Sequence, residues 1–239
     1  MSLRVGFDID GVVADFWSAF ADVAAQVLSW SRPGTAADIR DLSESDTHKV
    51  WKVITETPNW WLTLKPYEPQ EIARLYRLSR ELKWEIMFMT TRVPTAGETA
   101  LFQSQWWLET QGFYLPSVVT VMGSRGDLAN SLRLDLVVDD QLINCGDVVA
   151  ASQCKALLML RKPHPTTQEQ AINAGIGVVE SIQQTIDVLH RLHALTPDRR
   201  RSLTKLSEWF FGRSEEPAMA LPKNPRVARP LSERERPKA

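Results

Sequence analysis

Two acids one residue apart close the first apolar run of the chain: Asp8 and Asp10, in "FDIDGVVAD". In an extended segment residues i and i+2 share a face, so the two carboxylates are brought to one spot. Like charges held that close raise the cost of ionising both unless a cation or a proton intervenes. Taken alone, the string also fits an acidic turn, since Asp and Gly favour turns. Three further apolar runs are followed by polar groups. "WEIMFM" leads into Thr90, Thr91 and Arg92, and "LDLVV" into Asp139 and Asp140, while "VVTVM" precedes "GSRGD" with Arg125. A paired carboxylate, a hydroxyl, a cation and a second paired carboxylate have one chemistry in common, phosphoryl transfer to a carboxylate nucleophile. A hard cation such as Mg²⁺ takes oxygen ligands and keeps several waters, so two carboxylates and a backbone carbonyl suffice to hold it. Such an ion offsets the crowded negative charge. The hydroxyl and the cationic side chain would then meet the phosphoryl oxygens, where charge spreads in the transition state.

Those groups need a scaffold that gathers strand ends, and the order of runs supplies one. Strand-like segments 4–8, 84–89, 117–122, 134–139, 156–161 and 177–180 alternate with helical ones. Several are continuously apolar, as strands buried on both faces are. The pattern predicts an α/β fold, a three-layer Rossmann-like parallel sheet whose ligands bind at the carboxyl ends of the strands. "PQEIARLYRLSREL" has helical periodicity behind Pro69, "TAGETALFQSQWWLET" opens with Thr95 and Glu98 at capping-box spacing, and Ser181 fits the N-cap of "SIQQTIDVLHRLHAL". Residues 16–66 break the alternation with two helical stretches, "FWSAFADVAAQVLSW" and "DTHKVWKVITET". They read as a small helical cap inserted after the first strand, which leaves 1–15 and 67–195 as the core. Residues 196–239 carry 11 Lys/Arg against 6 Asp/Glu and end in a Pro-rich stretch without periodicity. That segment reads as one more helix and a disordered basic tail, the one place where a nucleic-acid contact is expected.

Composition narrows the function classes. The 239-residue chain has a formal net charge of −1, which gives no global nucleic-acid or membrane signature. No apolar run is long enough to span a bilayer, and no signal-peptide layout follows the N-terminus, so a cytoplasmic protein is expected. Cys145 and Cys154 are too few for a disulfide framework or a zinc cluster and read as small buried residues.

The set "FDIDGVVAD", "FMTTR" and "GSRGDLANSLRLDLVVDD" resembles the four motifs of the haloacid dehalogenase-like hydrolase superfamily. Within it, the first-strand string is most similar to the cytosolic-type 5'-nucleotidases and 5'(3')-deoxyribonucleotidases. The resemblance covers about residues 3–160 and implies a Mg²⁺-dependent phosphatase acting on a small phosphorylated substrate, a nucleoside monophosphate. It makes Asp8 the nucleophile and Asp10 the general acid and base. It makes Thr90 a phosphoryl-binding residue, with Thr91 and Arg92 beside the substrate. The metal would be held by Asp8, the Asp10 carbonyl and Asp139, with Asp140 in support. At the third motif the superfamily has a lysine, whereas this chain has none between Lys83 and Lys155. Arg125 is the best-placed replacement, with Arg133 and Arg92 behind it. Arginine is not interchangeable with lysine, so a catalytically silenced binding protein stays open beside a phosphatase for a sugar phosphate or a nucleic-acid end. Phe16 stands where related deoxyribonucleotidases have a base-contacting ring, and Trp60 and Trp61 stand near an aromatic pair. The three rings fit either base stacking or a cap core. Trp106 and Trp107 read as core.

Overall fold

The computed structural model describes residues 2–30, 34–35, 39 and 41–194, so the expected C-terminal helix and basic tail lie outside the described residues. Six strands form one parallel sheet: β1 (Arg4–Asp8), β2 (Glu85–Thr90), β3 (Ser117–Thr120), β4 (Leu136–Asp139), β5 (Lys155–Met159) and β6 (Gly177–Val179). Their spatial order is β3-β2-β1-β4-β5-β6. The chain therefore runs outward from β1 to β3 and returns to β1's other side with β4. The order thus reverses between β1 and β4, and open α/β sheets take their ligands at the carboxyl ends of the strands beside such a switch point.

Alternation along the strands builds a core on each face. Phe7, Phe88, Leu136, Val138, Leu157 and Met159 point to one side, with Ile72 and Leu75 of α3 (Pro69–Glu81), Trp107 of α4 (Ala100–Thr110) and Ile186 and Leu189 of α8 (Ile182–Ala194). Met87, Met89, Val137, Ala156 and Leu158 point to the other. There they meet Ala129 of α5 (Arg125–Ser131), Cys145 and Val148 of α6 (Leu142–Ala151) and Ala171 of α7 (Pro165–Asn173). Burial on both faces is why these strands lack a polar side in the sequence. Helix α5 is suggested only by the third-motif resemblance, and helices α6 and α7 by nothing in the periodicity. Both are short and carry few buried positions, Cys145 and Val148 in one and Ala171 in the other.

Between β1 and α3 the chain makes α1 (Phe16–Val27) and α2 (Glu44–Glu56), followed by a 3₁₀ turn, Trp60–Thr63. Asp15 caps α1 by accepting from the Ser18 amide at 3.1 Å, and Ser43 caps α2 through the Asp46 amide at 3.1 Å. The inserted helices leave and return at one neck. There Ala14 bridges Pro66, and the Asp15 amide bonds the Lys65 carbonyl at 2.8 Å.

Two local expectations need correcting. Helix α4 begins at Ala100, with Thr99 as its cap, rather than at a Thr95–Glu98 box. Gln103 explains the shift, because its amide donates to Thr95 Oγ1 and the Glu98 carbonyl and ties the preceding loop down. Trp107 is buried as expected and bonds the Leu64 carbonyl at 2.8 Å, but Trp106 just before it is half exposed.

Candidate active site

Each acid of the first-strand pair has its own guanidinium. Asp8, the last residue of β1, is 6% exposed and accepts from Arg125 Nη2 at 2.5 Å. Asp10, two residues beyond, accepts from Arg92 Nη2 at 2.8 Å and from Arg92 Nε at 3.0 and 3.2 Å. The like-charge problem is thus met by one arginine on the β4 side and another on the β2 side. Thr90, at the end of β2, donates to Asp10 Oδ2 at 3.3 Å and accepts from the Arg92 amide at 3.2 Å.

Arg125 stands at the start of α5, the position at which the spacing put the third-motif cation. Its Nε lies 3.6 Å from Asp139 Oδ2, so one buried guanidinium spans the acids that end β1 and β4. Its position follows from how α5 is seated. Ser124 caps the helix through the Asp127 amide, and Asp147 on α6 accepts from both Ser124 Oγ and the Gly126 amide, at 2.8 and 2.9 Å. Residue 126 must be glycine for that docking, because a Cβ there would run into the Asp147 carbonyl and the Ala151 methyl. The other nitrogen of the fork, Arg125 Nη1, is buried and has no hydrogen-bond partner among the described residues. Arg133 is exposed in the turn ahead of β4, at the end of the strand opposite Asp139. Arg92 is consumed by Asp10. Arg125 is the cation that geometry puts on Asp8.

Asp139 is fully buried, and Gln141 and Asn144 of the following turn and helix grip its carboxylate at 2.8 to 3.1 Å. Asp140 accepts from the Trp17 indole at 2.8 Å and from Gln141 Nε2 at 3.1 Å. Gly11 makes room for it: with φ at +84°, its missing side chain would occupy the space of the Asp140 carboxylate. Burial pushes the Asp8 and Asp139 carboxyls above the usual range, and for Asp8 the neighbouring Asp139 adds to this against the pull of Arg125. Asp140 is raised to about 7, by burial first and, against the Trp17 hydrogen bond, by Asp139. Four carboxylates here face two guanidinium groups, a surplus of two negative charges when all are ionised.

Other expected contacts fall elsewhere. Thr91 is exposed. Arg92 has no exposed side-chain surface, and its contacts run to Asp10, Ser104 Oγ (3.0 Å) and the Trp61 ring face rather than to an open pocket. Trp60 and Trp61 are 5% and 2% exposed, with Phe16 packed against both at about 6.1 Å between centroids. Trp61 is fixed at three further points: its indole donates to the Val93 carbonyl, its amide to Gln103, and its ring lies under Arg92. Their rings are taken up by packing against Phe16 and, for Trp61, against Trp51 and Arg92, so the packing alternative describes Trp60 and Trp61 better than an open stacking face. Phe16 remains half-buried.

No family model matches the chain, and no curated protein does. Solved structures do. A haloacid dehalogenase family hydrolase from Deinococcus radiodurans R1, determined with bound phosphate and sodium, superposes with a TM-score of 0.59 at 15% identity, over 82% of this chain and 99% of that one. The fold is haloacid dehalogenase-like. A conserved haloacid dehalogenase-like protein of unknown function from Agrobacterium tumefaciens gives 0.50 at 16% identity, over 80% of this chain and 98% of its own. A subfamily IA hydrolase of the superfamily from Geobacter sulfurreducens gives 0.50 at 13%, over 79% and 96%. At such identities the likeness is one of architecture. No described helix is long and apolar enough to cross a membrane.

Proposed function

We propose that this chain is a phosphomonoester hydrolase working through a phosphoaspartate on Asp8. The observation that supports it most is the unpartnered Arg125 Nη1. Leaving a buried donor unsatisfied costs ~1–3 kcal/mol, and more when it is charged. A phosphoryl oxygen arriving beside Asp8 would satisfy this donor and bring the phosphorus to the carboxylate. The third-motif lysine is then replaced by a residue that keeps the charge and offers a fork.

In the first half-reaction an Asp8 oxygen bonds to phosphorus as the bond to the leaving oxygen breaks, and Asp10 supplies that oxygen with a proton. In the second, Asp10 takes a proton from water, the water oxygen bonds to phosphorus, and the bond to Asp8 breaks. Thr90 and Arg125 hold the remaining phosphoryl oxygens.

The residues suit Mg²⁺. The surplus of two negative charges and the raised carboxyls of Asp8, Asp139 and Asp140 are what a divalent cation relieves. Among the described residues no three acidic, His or Cys side chains are placed to hold a metal together, so the proposed ligand set is two carboxylates and a backbone carbonyl, with waters completing the shell. Asp8, Asp139 and the Asp10 carbonyl would hold it, with Asp140 in support. When bound, it shields the anionic nucleophile from an anionic substrate.

The first-strand string supports a nucleoside monophosphate, with Phe16 as the base-facing ring. The burial of Trp60 and Trp61 supports a second reading, a sugar phosphate, because it withdraws two of the three rings meant for a base. A panel of nucleotides, sugar phosphates and aryl phosphates, assayed with Mg²⁺ and with excess EDTA, tests both. Turnover that survives EDTA, or no turnover on any ester, would sink the proposal.

A further inference from the structure

Arg92 was expected at the substrate; its surroundings argue for a different task. Its side chain has no exposed surface, and Asp10 beside it is 19% exposed. Nη2 and Nε both reach Asp10 Oδ1, at 2.8 and 3.2 Å, and Nε also reaches Oδ2 at 3.0 Å. Nη1 bonds Ser104 Oγ, whose own proton goes to the Ala100 carbonyl at 2.7 Å, so this serine presents a lone pair to the arginine. Trp61 closes the remaining face, its ring centroid 4.8 Å from Cζ. The guanidinium plane is fixed by helix α4 on one edge and by the cap on its face. A planar fork held so firmly fixes the plane of the carboxylate it grips.

The two Asp10 oxygens differ within that grip. Oδ1 takes two guanidinium contacts. Oδ2 takes one, and its second partner is Thr90, at 3.3 Å the longest contact of the set. A carboxylate offers about four acceptor positions, so on Oδ2 the position that opens most readily is the one Thr90 fills. Thr90 is also a residue expected to turn to an arriving phosphoryl group.

We propose that Arg92 is a positioning residue that fixes the Asp10 carboxylate so that Oδ2, released when Thr90 turns to the phosphoryl group, becomes the oxygen that exchanges a proton with the leaving group. This rests on the phosphatase reading of the site. Arg92 itself does not touch substrate. Its effect must run through Asp10 and must therefore depend on how much the leaving group needs a proton.

The test compares 4-nitrophenyl phosphate, whose leaving group needs little protonation, with glycerol 3-phosphate, whose alkoxide needs it. Wild type, Arg92→Lys, Ser104→Ala, Asp10→Asn and the double variant Asp10→Asn/Arg92→Lys are assayed with Mg²⁺, with rates scaled to the folded fraction from melting curves. Arg92→Lys keeps the charge and loses the fork. It should lower kcat on the alkyl ester by about 10²-fold, the lower end of what general acid catalysis contributes, and change the aryl rate little. Ser104→Ala should shift the same ratio in the same direction by less. In the Asp10→Asn background the Arg92 change should add nothing further, because residues that act as a unit are not additive. Equal losses on both esters with a raised KM, additive with Asp10→Asn, would put Arg92 on the phosphoryl group and overturn the inference. Hydrolysis of neither ester by wild type would instead defeat the phosphatase reading beneath it.

Discussion

Replacing Arg125 by alanine perturbs two properties at once, and the structure sets the size of each. The guanidinium is 4% exposed, 2.5 Å from Asp8 and 3.6 Å from Asp139. Removing one partner of a buried pair leaves the other charge uncompensated, which costs about 3–5 kcal/mol where the charge cannot neutralise. Here it can in part, because Asp8 and Asp139 already sit above the usual carboxyl range and lose the pull of Arg125 in the variant. The destabilisation should therefore be largest at pH 8 and smaller at pH 5, because the raised carboxyls take up protons as pH falls. On catalysis the loss resembles that of one preorganised donor at a developing charge, about 10²–10³-fold in kcat. Arg125→Lys should recover much of both, since the ammonium reaches the same acids without the fork. The assays are thermal melts at the two pH values and kcat on 4-nitrophenyl phosphate with Mg²⁺. If Arg125→Ala melts like wild type at pH 8 and turns over at a similar rate, neither the buried pair nor the phosphoryl contact has the weight given to it. If wild type is inert and Arg125→Lys creates turnover, the chain is a silenced member of its fold.

Asp8→Asn should abolish turnover and lower the melting temperature by less than Arg125→Ala, since Asp139 still faces the guanidinium and the amide keeps an acceptor, and acid-stable ³²P-labelled protein trapped in wild type should be missing from the variant. For the metal, the sign follows from the raised carboxyls of Asp8, Asp139 and Asp140: their contribution to metal-free stability is full below the unfolded carboxyl pKa of about 3.9 and is lost as pH rises through their folded values, about 7 for Asp140. Mg²⁺ should therefore raise the melting temperature more at pH 8 than at pH 5, where protons compete for the ligands, and a pH-independent shift would place the ion elsewhere. Trp61→Leu should destabilise by about 2–4 kcal/mol, somewhat under the cost of truncating a buried aromatic to alanine, and lower activity on nucleotides and aryl phosphates alike. A KM increase confined to nucleotides would return the ring to a base.

The sheet was legible because its inner strands are buried on both faces, which leaves continuous apolar runs such as Leu136–Val138 with the polar site residues just beyond them. Helices α6 and α7 were not, since short helices with one or two buried positions leave little period to read. At the site, strand-end logic finds acids, hydroxyls and cations but not the partners that orient them. Asn144 sits only five residues beyond Asp139, but Ser104 and Asp147 reach back from later helices, and no spacing rule links Trp17 to Asp140 across 123 residues. Arg92 marks the limit most clearly. A cation after a strand-end threonine reads equally as a ligand for phosphate or for a carboxylate, and only the burial and the Ser104 contact distinguish them.

The neck of the inserted helices joins these observations into one device. Arg161, just after β5, bonds the Val12 carbonyl and pairs with Glu68 at 2.8 Å, its guanidinium 3.8 Å from the Tyr67 ring centroid. Glu68 in turn accepts the Ile182 and Gln183 amides that open α8. The loop behind Asp10 is thus tied to the residue just after β5 and, through Glu68 in the chain leaving the neck, to the start of α8. Gly11 lies within that loop and admits the Asp140 carboxylate, and Trp17 on the first cap helix bonds the same carboxylate. Any rotation of α1 about the neck must move Trp17 against Asp140, whereas Gly11 and Val12 are held by Arg161. Among the described residues, the Trp17 indole is the hydrogen bond that links α1 to Asp140, while the loop between them is anchored to the sheet through Arg161.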